Sequence, residues 1–92
     1  MSHNENMAVK AVETLIRYIE DIDGELREGL ERTPERVIES FKEVYSGYGE
    51  DAEDILSATF NSEGYNGIVL LRDVEFHSVC EHHLQPFSGK AN

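Results

Sequence analysis

The sequence has no tryptophan, a single cysteine and only two prolines among its 92 residues. One cysteine excludes an internal disulfide, so the thiol is better explained as a metal ligand or a nucleophile than as a structural cross-link. No apolar run approaches the ~20 residues that a membrane-spanning helix needs, and residues 1–6 lack the character of a signal peptide. These absences predict neither a membrane protein nor a secreted one, and we expect a cytoplasmic location.

Basic residues are also scarce. Eight lysines and arginines stand against 19 acidic residues, which gives a formal net charge of −11. Residues 1–63 carry 16 acids and 6 bases, whereas residues 64–92 carry 3 and 2, so the acidity belongs to the first two-thirds of the chain. Sequence-independent binding of nucleic acid needs a positive field, and this charge balance excludes it.

The length allows one domain at most. A chain this short buries only about 60–65% of the surface that its unfolded form exposes. Metal ions or partner chains are therefore expected sources of stability.

The first two-thirds of the chain predict helices. Apolar residues at helical spacing indicate an amphipathic helix of about four turns that begins at about residue 7 and ends near residues 21–24, preceded by a disordered polar stretch over residues 1–6. We expect its apolar stripe to be core, and its members are Ala8, Val12, Leu15, Ile16 and Ile19.

A second helix is predicted to begin at Thr33-Pro34, because threonine can cap a helix and proline suits its first position. Gly47 and Gly49 are expected to end this helix, and a short third helix is expected over residues 52–57. The apolar stripe of the second helix is again expected to be core, and it comprises Val37, Phe41, Val44, Tyr45 and Tyr48.

The pattern then changes to that of a sheet. After a turn cluster at residues 64–67, residues 68–76 are rich in β-branched and apolar side chains and predict a strand. A second strand is expected to begin at Phe87. The sequence therefore predicts an α+β fold, with a helical region at residues 1–63 and the start of a sheet-containing domain at residues 64–92. The sheet is expected to be incomplete, because one strand cannot satisfy its own backbone groups.

The candidate chemistry lies between these two strands. If residues 80–83 form a helical turn, Cys80 and His83 face the same side and can hold one metal ion, with zinc the first choice. His82 is then left free as a general acid or base. The alternative reading, in which Cys80 is a small buried hydrophobic residue and His82 an exposed loop residue, stays open at this point.

A zinc site needs at least three protein ligands. His77 precedes the turn on the expected strand and is better explained as a rim residue, and His3 lies in the polar terminus. We therefore expect at least one ligand to be missing from this chain.

The motif and its neighbourhood closely resemble the signature of the GTP cyclohydrolase I family. The resemblance covers roughly residues 7–91. Its central block reads Cys80-Glu81-His82-His83-Leu84, then Pro86-Phe87 and Gly89-Lys90-Ala91, and the upstream blocks are Arg27-Glu28-Gly29-Leu30, Thr33-Pro34 with Arg36-Val37, Ser46-Gly47-Tyr48 and residues 69–76.

This resemblance implies a T-fold (tunnelling-fold) enzyme that forms homo-oligomers, usually decamers. Such enzymes convert GTP and water into 7,8-dihydroneopterin triphosphate and formate, the first step of tetrahydrofolate and pterin biosynthesis. Carried over to this sequence, the resemblance makes Cys80 and His83 zinc ligands and His82 the catalytic proton donor and acceptor. It assigns no substrate-binding residue here.

The sequence departs from the family pattern at its end. The family usually continues Gly-Lys-Ala-His where this chain has Gly89-Lys90-Ala91-Asn92, and its third zinc ligand is a cysteine further downstream. We therefore expect a fragment that is inactive alone. Two alternatives remain: one half of a split enzyme, completed by a chain that supplies the third ligand, or a non-catalytic acidic helical interaction module.

Overall fold

The computed structural model describes residues 2–92 and has an α+β architecture, as predicted. Helices come first and a two-stranded antiparallel sheet follows. The elements in chain order are α1 (His3–Glu20), a 3₁₀ turn (Glu28–Leu30), α2 (Thr33–Val44), a second 3₁₀ turn (Ser46–Gly49), α3 (Ala52–Leu56), β1 (Val74–Val79) and β2 (Pro86–Ala91).

The chain divides into two compact units. The first extends to Glu50 and contains α1 and α2, and the second, Asp51–Asn92, contains α3 and the sheet. The division into a helical region at 1–63 and a catalytic region at 64–92 is a functional one, and it stays a prediction.

Helix α1 begins earlier than the sequence suggested. The Ser2 hydroxyl accepts a hydrogen bond from the Glu5 backbone N–H at 3.1 Å, and Glu5 places a carboxylate in the first turn, where the helix dipole favours it. The prediction that residues 1–6 are disordered is therefore wrong for residues 3–6, because a serine cap and an acidic first turn suffice to start the helix. Met1 lies outside the described residues.

The C-terminal end of α1 lies where it was predicted. Asp21 adopts a left-handed conformation with φ 54°, and the Ile22 N–H donates to the Arg17 carbonyl at 3.1 Å. This is a Schellman arrangement with aspartate in the position that glycine usually takes. The Arg17 guanidinium also donates to the Gly24 carbonyl at 3.0 Å, which holds the departing chain against the helix.

Helix α2 runs antiparallel to α1, because the Lys42 amine in its last turn lies 3.6 Å from the Glu5 carboxylate in the first turn of α1. Glu39, through a hydrogen bond and its charge, and then Glu5 raise the pKa of Lys42 above its ordinary value, so this lysine keeps its charge. Thr33 is the first helical residue rather than the cap; Arg32 takes the cap position without a side-chain hydrogen bond, so the predicted threonine cap is wrong.

The helices shield only part of their apolar stripes. Ala8, Val12 and Ile16 of α1 and Val37 and Tyr45 of the second stripe are half-buried. The remaining predicted core residues are exposed: Leu15, Ile19, Phe41, Val44 and Tyr48. The core prediction is wrong for these five, because two helices can cover only one side of each other. Helix α2 ends at Val44 rather than at the predicted glycines, and Tyr48 therefore falls in the 3₁₀ turn that follows it.

Burial is low throughout the described residues. Pro34 is the single fully shielded side chain among residues 2–92. The accessible surface is 8662 Å². Two separate globules of half the 10.4 kDa mass would together expose only roughly 6,500 Å² by the mass scaling of folded proteins. The chain therefore leaves apolar surface open that other folded proteins cover. No helix within residues 2–92 has the length and apolar character to cross a bilayer.

The sheet is a hairpin whose register pairs Val74 with Ala91 at its open end and Val79 with Pro86 beside the turn. The second strand is confirmed, one residue before its predicted start. The first strand is confirmed only from Val74, and residues 68–73 lie outside it. No other strand of the described chain pairs with these residues, and Ile68 is 88% exposed. Strand-forming residues therefore do not form a strand here.

The left-handed residue at the end of α1 yields a prediction. Asp21→Gly should stabilise the helical unit by about 0.5–1 kcal/mol, because glycine adopts φ > 0 without the steric cost that a Cβ brings. Urea unfolding followed by helical circular dichroism measures this. Asp21→Asn separates the backbone effect from loss of a negative charge at the helix C-terminus. A glycine variant no more stable than the asparagine variant would contradict the conformational explanation.

Candidate metal and catalytic site

The candidate site lies on the six-residue loop that joins β1 to β2. The Leu84 N–H donates to the Cys80 carbonyl at 2.9 Å, which closes one helical turn over the intervening residues. The Cys80 N–H donates to the Gln85 carbonyl at 2.8 Å and continues the strand register one step beyond Val79 and Pro86. The helical turn on which the sequence argument depended is therefore present, and both of its ends are anchored to the sheet.

Leu84 makes the exit from this turn possible. Its φ is 55°, in the left-handed region, and its side chain is 68% exposed. A left-handed residue reverses the chain after the turn, so that Gln85 and Pro86 can enter the second strand. Sequence reasoning missed this role, because leucine carries no signal for positive φ.

The turn brings the thiol close to an imidazole, as the sequence predicted. The Cys80 Sγ atom lies 4.0 Å from Nδ1 of His83. Tetrahedral zinc with bonds of about 2.3 Å to sulfur and about 2.05 Å to nitrogen places these two atoms roughly 3.6 Å apart. A shift of a few tenths of an ångström would thus suit the pair to zinc. Since Cys80 is half-buried and His83 is exposed, the donor atoms are accessible from solvent.

His82 lies equally close to the thiol. Its Nδ1 atom is also 4.0 Å from the Cys80 Sγ, although sequence spacing suggested that His82 is turned away. The two imidazole rings are separated by 6.3 Å between centroids and tilted by 47°. Distance alone does not distinguish the two histidines, so the assignment of His83 as ligand and His82 as proton carrier stays a prediction.

Apart from Cys80, His82 and His83, the described residues bring no metal donor to the turn. Among residues 2–92 no group of three or more histidine, cysteine, aspartate or glutamate side chains is arranged to hold a metal ion. His77 lies on β1 opposite Ser88, and His3 starts α1 in the other unit. Glu81 is exposed.

Positive charge near the turn is limited. Lys90 lies on β2 opposite Glu75, five residue pairs away from the Cys80–Gln85 pair that adjoins the turn. Within the described second unit, the other basic residue apart from the histidines is Arg72, in the segment before β1. The residues that hold a substrate therefore remain unassigned.

Comparison with known proteins identifies relatives that cover most of the chain. The family model described as GTP cyclohydrolase I matches residues 8–92. A GTP cyclohydrolase 1 of a Synechococcus species (strain JA-2-3B'a(2-13)) is 52% identical over 85 residues, which are 91% of this chain and 36% of the relative. The GTP cyclohydrolase 1 of Hyphomonas neptunium is 51% identical over 85 residues, 91% of this chain and 40% of the relative.

A more distant relative gives the same result. The GTP cyclohydrolase 1 of Rickettsia felis is 43% identical over 83 residues, 89% of this chain and 43% of the relative. The chain thus spans about two-fifths of the length of these curated relatives. No solved structure matches it.

The left-handed residue of the turn can be tested by a pair of substitutions. Leu84→Gly should keep the turn, because glycine accepts positive φ and little packing is lost, whereas Leu84→Val should destabilise it by about 1 kcal/mol or more because a β-branched side chain resists that conformation. Hydrogen exchange of the residue 84 amide, which donates to the Cys80 carbonyl, reports the turn directly. Equal protection in the two variants would show that φ at this position does not control the turn.

Proposed function

Because the chain belongs to the GTP cyclohydrolase I family, we propose that it carries the zinc-binding and proton-transfer motif of an enzyme that converts GTP and water into 7,8-dihydroneopterin triphosphate and formate. The observation that carries the proposal is the anchored turn at the end of the hairpin. In this turn the Cys80 sulfur lies 4.0 Å from a ring nitrogen of each of two histidines. We further propose that this hairpin is part of a T-fold sheet.

Cys80 and His83 are the proposed zinc ligands. Their donor atoms are close to the separation that tetrahedral zinc requires, and a thiol–imidazole pair is a donor set that zinc prefers. When bound, zinc supplies Lewis-acid chemistry that makes hydroxide available near neutral pH. A ligating thiol must stay reduced, which suits the proposed cytoplasmic location.

His82 is the proposed general acid and base. Its Nδ1 atom faces the Cys80 sulfur, so Nε2 is the ring nitrogen that can exchange protons with a substrate. In the proposed reaction, His82 accepts a proton as water adds to C8 of the guanine. It returns a proton to the purine nitrogen that is released as the imidazole ring opens. Formate leaves in this hydrolysis, and further proton transfers accompany ribose rearrangement and closure of the pterin ring.

The third zinc donor is proposed to come from outside residues 2–92, since no group of three donors within them is arranged to hold a metal ion. A complementing chain is proposed to supply it, and a homo-oligomer, decameric by the family resemblance, is the other proposed assembly. The exposed apolar residues of both helices support assembly, because a partner would cover surface that the described chain leaves open. Assembly would also have to bring basic residues for the triphosphate, because residues 64–92 carry a net charge of −1.

One observation favours a second candidate function. The first unit contains most of the acidic residues and exposes Phe41 and Val44, and Cys80, His82 and His83 all lie in the other unit. A non-catalytic interaction module built on this helical pair is therefore the alternative. It requires neither zinc nor the thiol, so substitution of Cys80 or His83 by alanine would leave its partner binding unchanged.

The two histidines can be distinguished by metal titration. We expect His83→Ala to weaken Co²⁺ binding by at least about tenfold, because a ligand is lost, and His82→Ala to change it by less than about threefold. Absorption of the cobalt–thiolate complex measures both affinities, and Cys80→Ser provides the control that removes the sulfur. The opposite order of the two histidine variants would exchange their proposed roles.

Formate release from GTP tests the proposed reaction. The zinc-loaded chain alone should show no turnover, because residues 2–92 hold no third donor in place. Addition of a family polypeptide that supplies the missing cysteine should give turnover that requires Cys80, His82 and His83. Robust turnover by the chain alone would overturn the third-donor argument. If the complemented protein binds zinc but produces no formate, the proposed reaction is wrong.

A further inference from the structure

Phe76 of β1 and Gly89 of β2 lie directly opposite each other in the hairpin. A Cβ atom placed on Gly89 would meet the Phe76 ring at 2.6 Å from Cζ and 2.9 Å from Cε1. Non-bonded carbon atoms prefer separations of about 3.5–4.0 Å. The phenyl ring therefore occupies the space above the Gly89 backbone that any other residue would fill with its side chain.

The backbone at Gly89 does not itself require glycine. Among the described residues, the glycine with positive φ is Gly64, and Gly89 adopts an ordinary strand conformation. An alanine could therefore take up the same backbone angles. The contact with Phe76 is the feature of this structure that a methyl group at position 89 would disturb.

This contact selects one register of the hairpin. Gly89 is the only position of β2 without a side chain; the others are Pro86, Phe87, Ser88, Lys90 and Ala91. A slip of one residue would bring Ser88 or Lys90 opposite Phe76, and the ring could then no longer lie across the second strand. Aromatic side chains packed over cross-strand glycines are a recognised means of fixing strand register.

The same register sets the candidate site. Cys80 and Gln85 continue the pairing of Phe76 with Gly89, four positions further along and roughly 13 Å away at the usual rise of a strand. A shifted register would break the hydrogen bond from the Cys80 N–H to the Gln85 carbonyl and release one anchor of the turn.

We propose that Phe76 and Gly89 are positioning residues for the metal-binding turn: the ring fixes the register that places Cys80 and His83 at metal-binding distance. The proposal rests on the proposed function for its metal, but its structural part concerns the hairpin alone. It assigns a role to two residues that touch neither metal nor substrate.

The test is a double-mutant cycle on the full chain, read by Co²⁺ titration through the cobalt–thiolate absorption. Gly89→Ala should weaken binding about tenfold, because the added methyl displaces the ring. In the Phe76→Leu background the same methyl meets no ring, so the double variant should bind within about twofold of the Phe76→Leu single variant. Gly47→Ala is the matched control, since an added Cβ there has no neighbour within 4 Å.

Unchanged Co²⁺ affinity in Gly89→Ala would overturn the proposal, as would an equal loss with and without the phenyl ring. If Gly89→Ala does not fold, the double variant decides, because removal of the ring relieves its overlap with the added methyl and lets the two strands pair again. Should the unaltered chain give no cobalt–thiolate absorption, the proposed metal function fails separately. Hydrogen exchange of the Cys80 amide then tests the register. Loss of its protection in Gly89→Ala supports the positioning role, and retained protection overturns it.

Discussion

The pairing of β1 with β2 is the constraint on which the candidate chemistry depends. A single helical turn is not stable by itself, because nucleation fixes several residues for one hydrogen bond. Here the turn is closed by the Leu84–Cys80 hydrogen bond and anchored by the Cys80–Gln85 rung, which belongs to the strand register. The thiol and the two imidazoles keep their 4.0 Å separations because strand pairing removes most of the entropy that the isolated loop would have.

A partner chain would account for two features of the described residues, their exposed apolar side chains and their incomplete metal site. The helices leave large apolar residues exposed, and the turn assembles two kinds of donor without a third ligand. A partner surface that covers apolar side chains and contributes one donor would correct both, and metal binding would then also stabilise the assembly by mass action. Membership of the GTP cyclohydrolase I family fits this requirement, because the relatives contain more than twice the length of this chain.

Sequence reasoning succeeded for part of the locally decided structure and failed where the structure depends on a partner. The end of α1 follows from short-range signals and is found, and the helical turn that was assumed after Cys80 is present. A strand over residues 68–73 does not form, because β-branched residues define a strand only when another strand satisfies their backbone groups. The left-handed Leu84 and the equal proximity of His82 and His83 to the thiol were also missed, since residue type does not encode either feature.

Asn92 lies at the opposite end of the hairpin from the turn. The Asn92 side-chain carbonyl accepts a hydrogen bond from the Asp73 N–H at 3.0 Å, next to the Val74–Ala91 pair. The Asn92 side chain thus satisfies the Asp73 N–H, which would pair with a backbone carbonyl if the two strands continued. Six rungs separate this contact from the Cys80–Gln85 rung, and the Phe76–Gly89 contact lies between them. Asn92 therefore acts at the open end of the hairpin, and the contact proposed to fix the register lies between it and the turn.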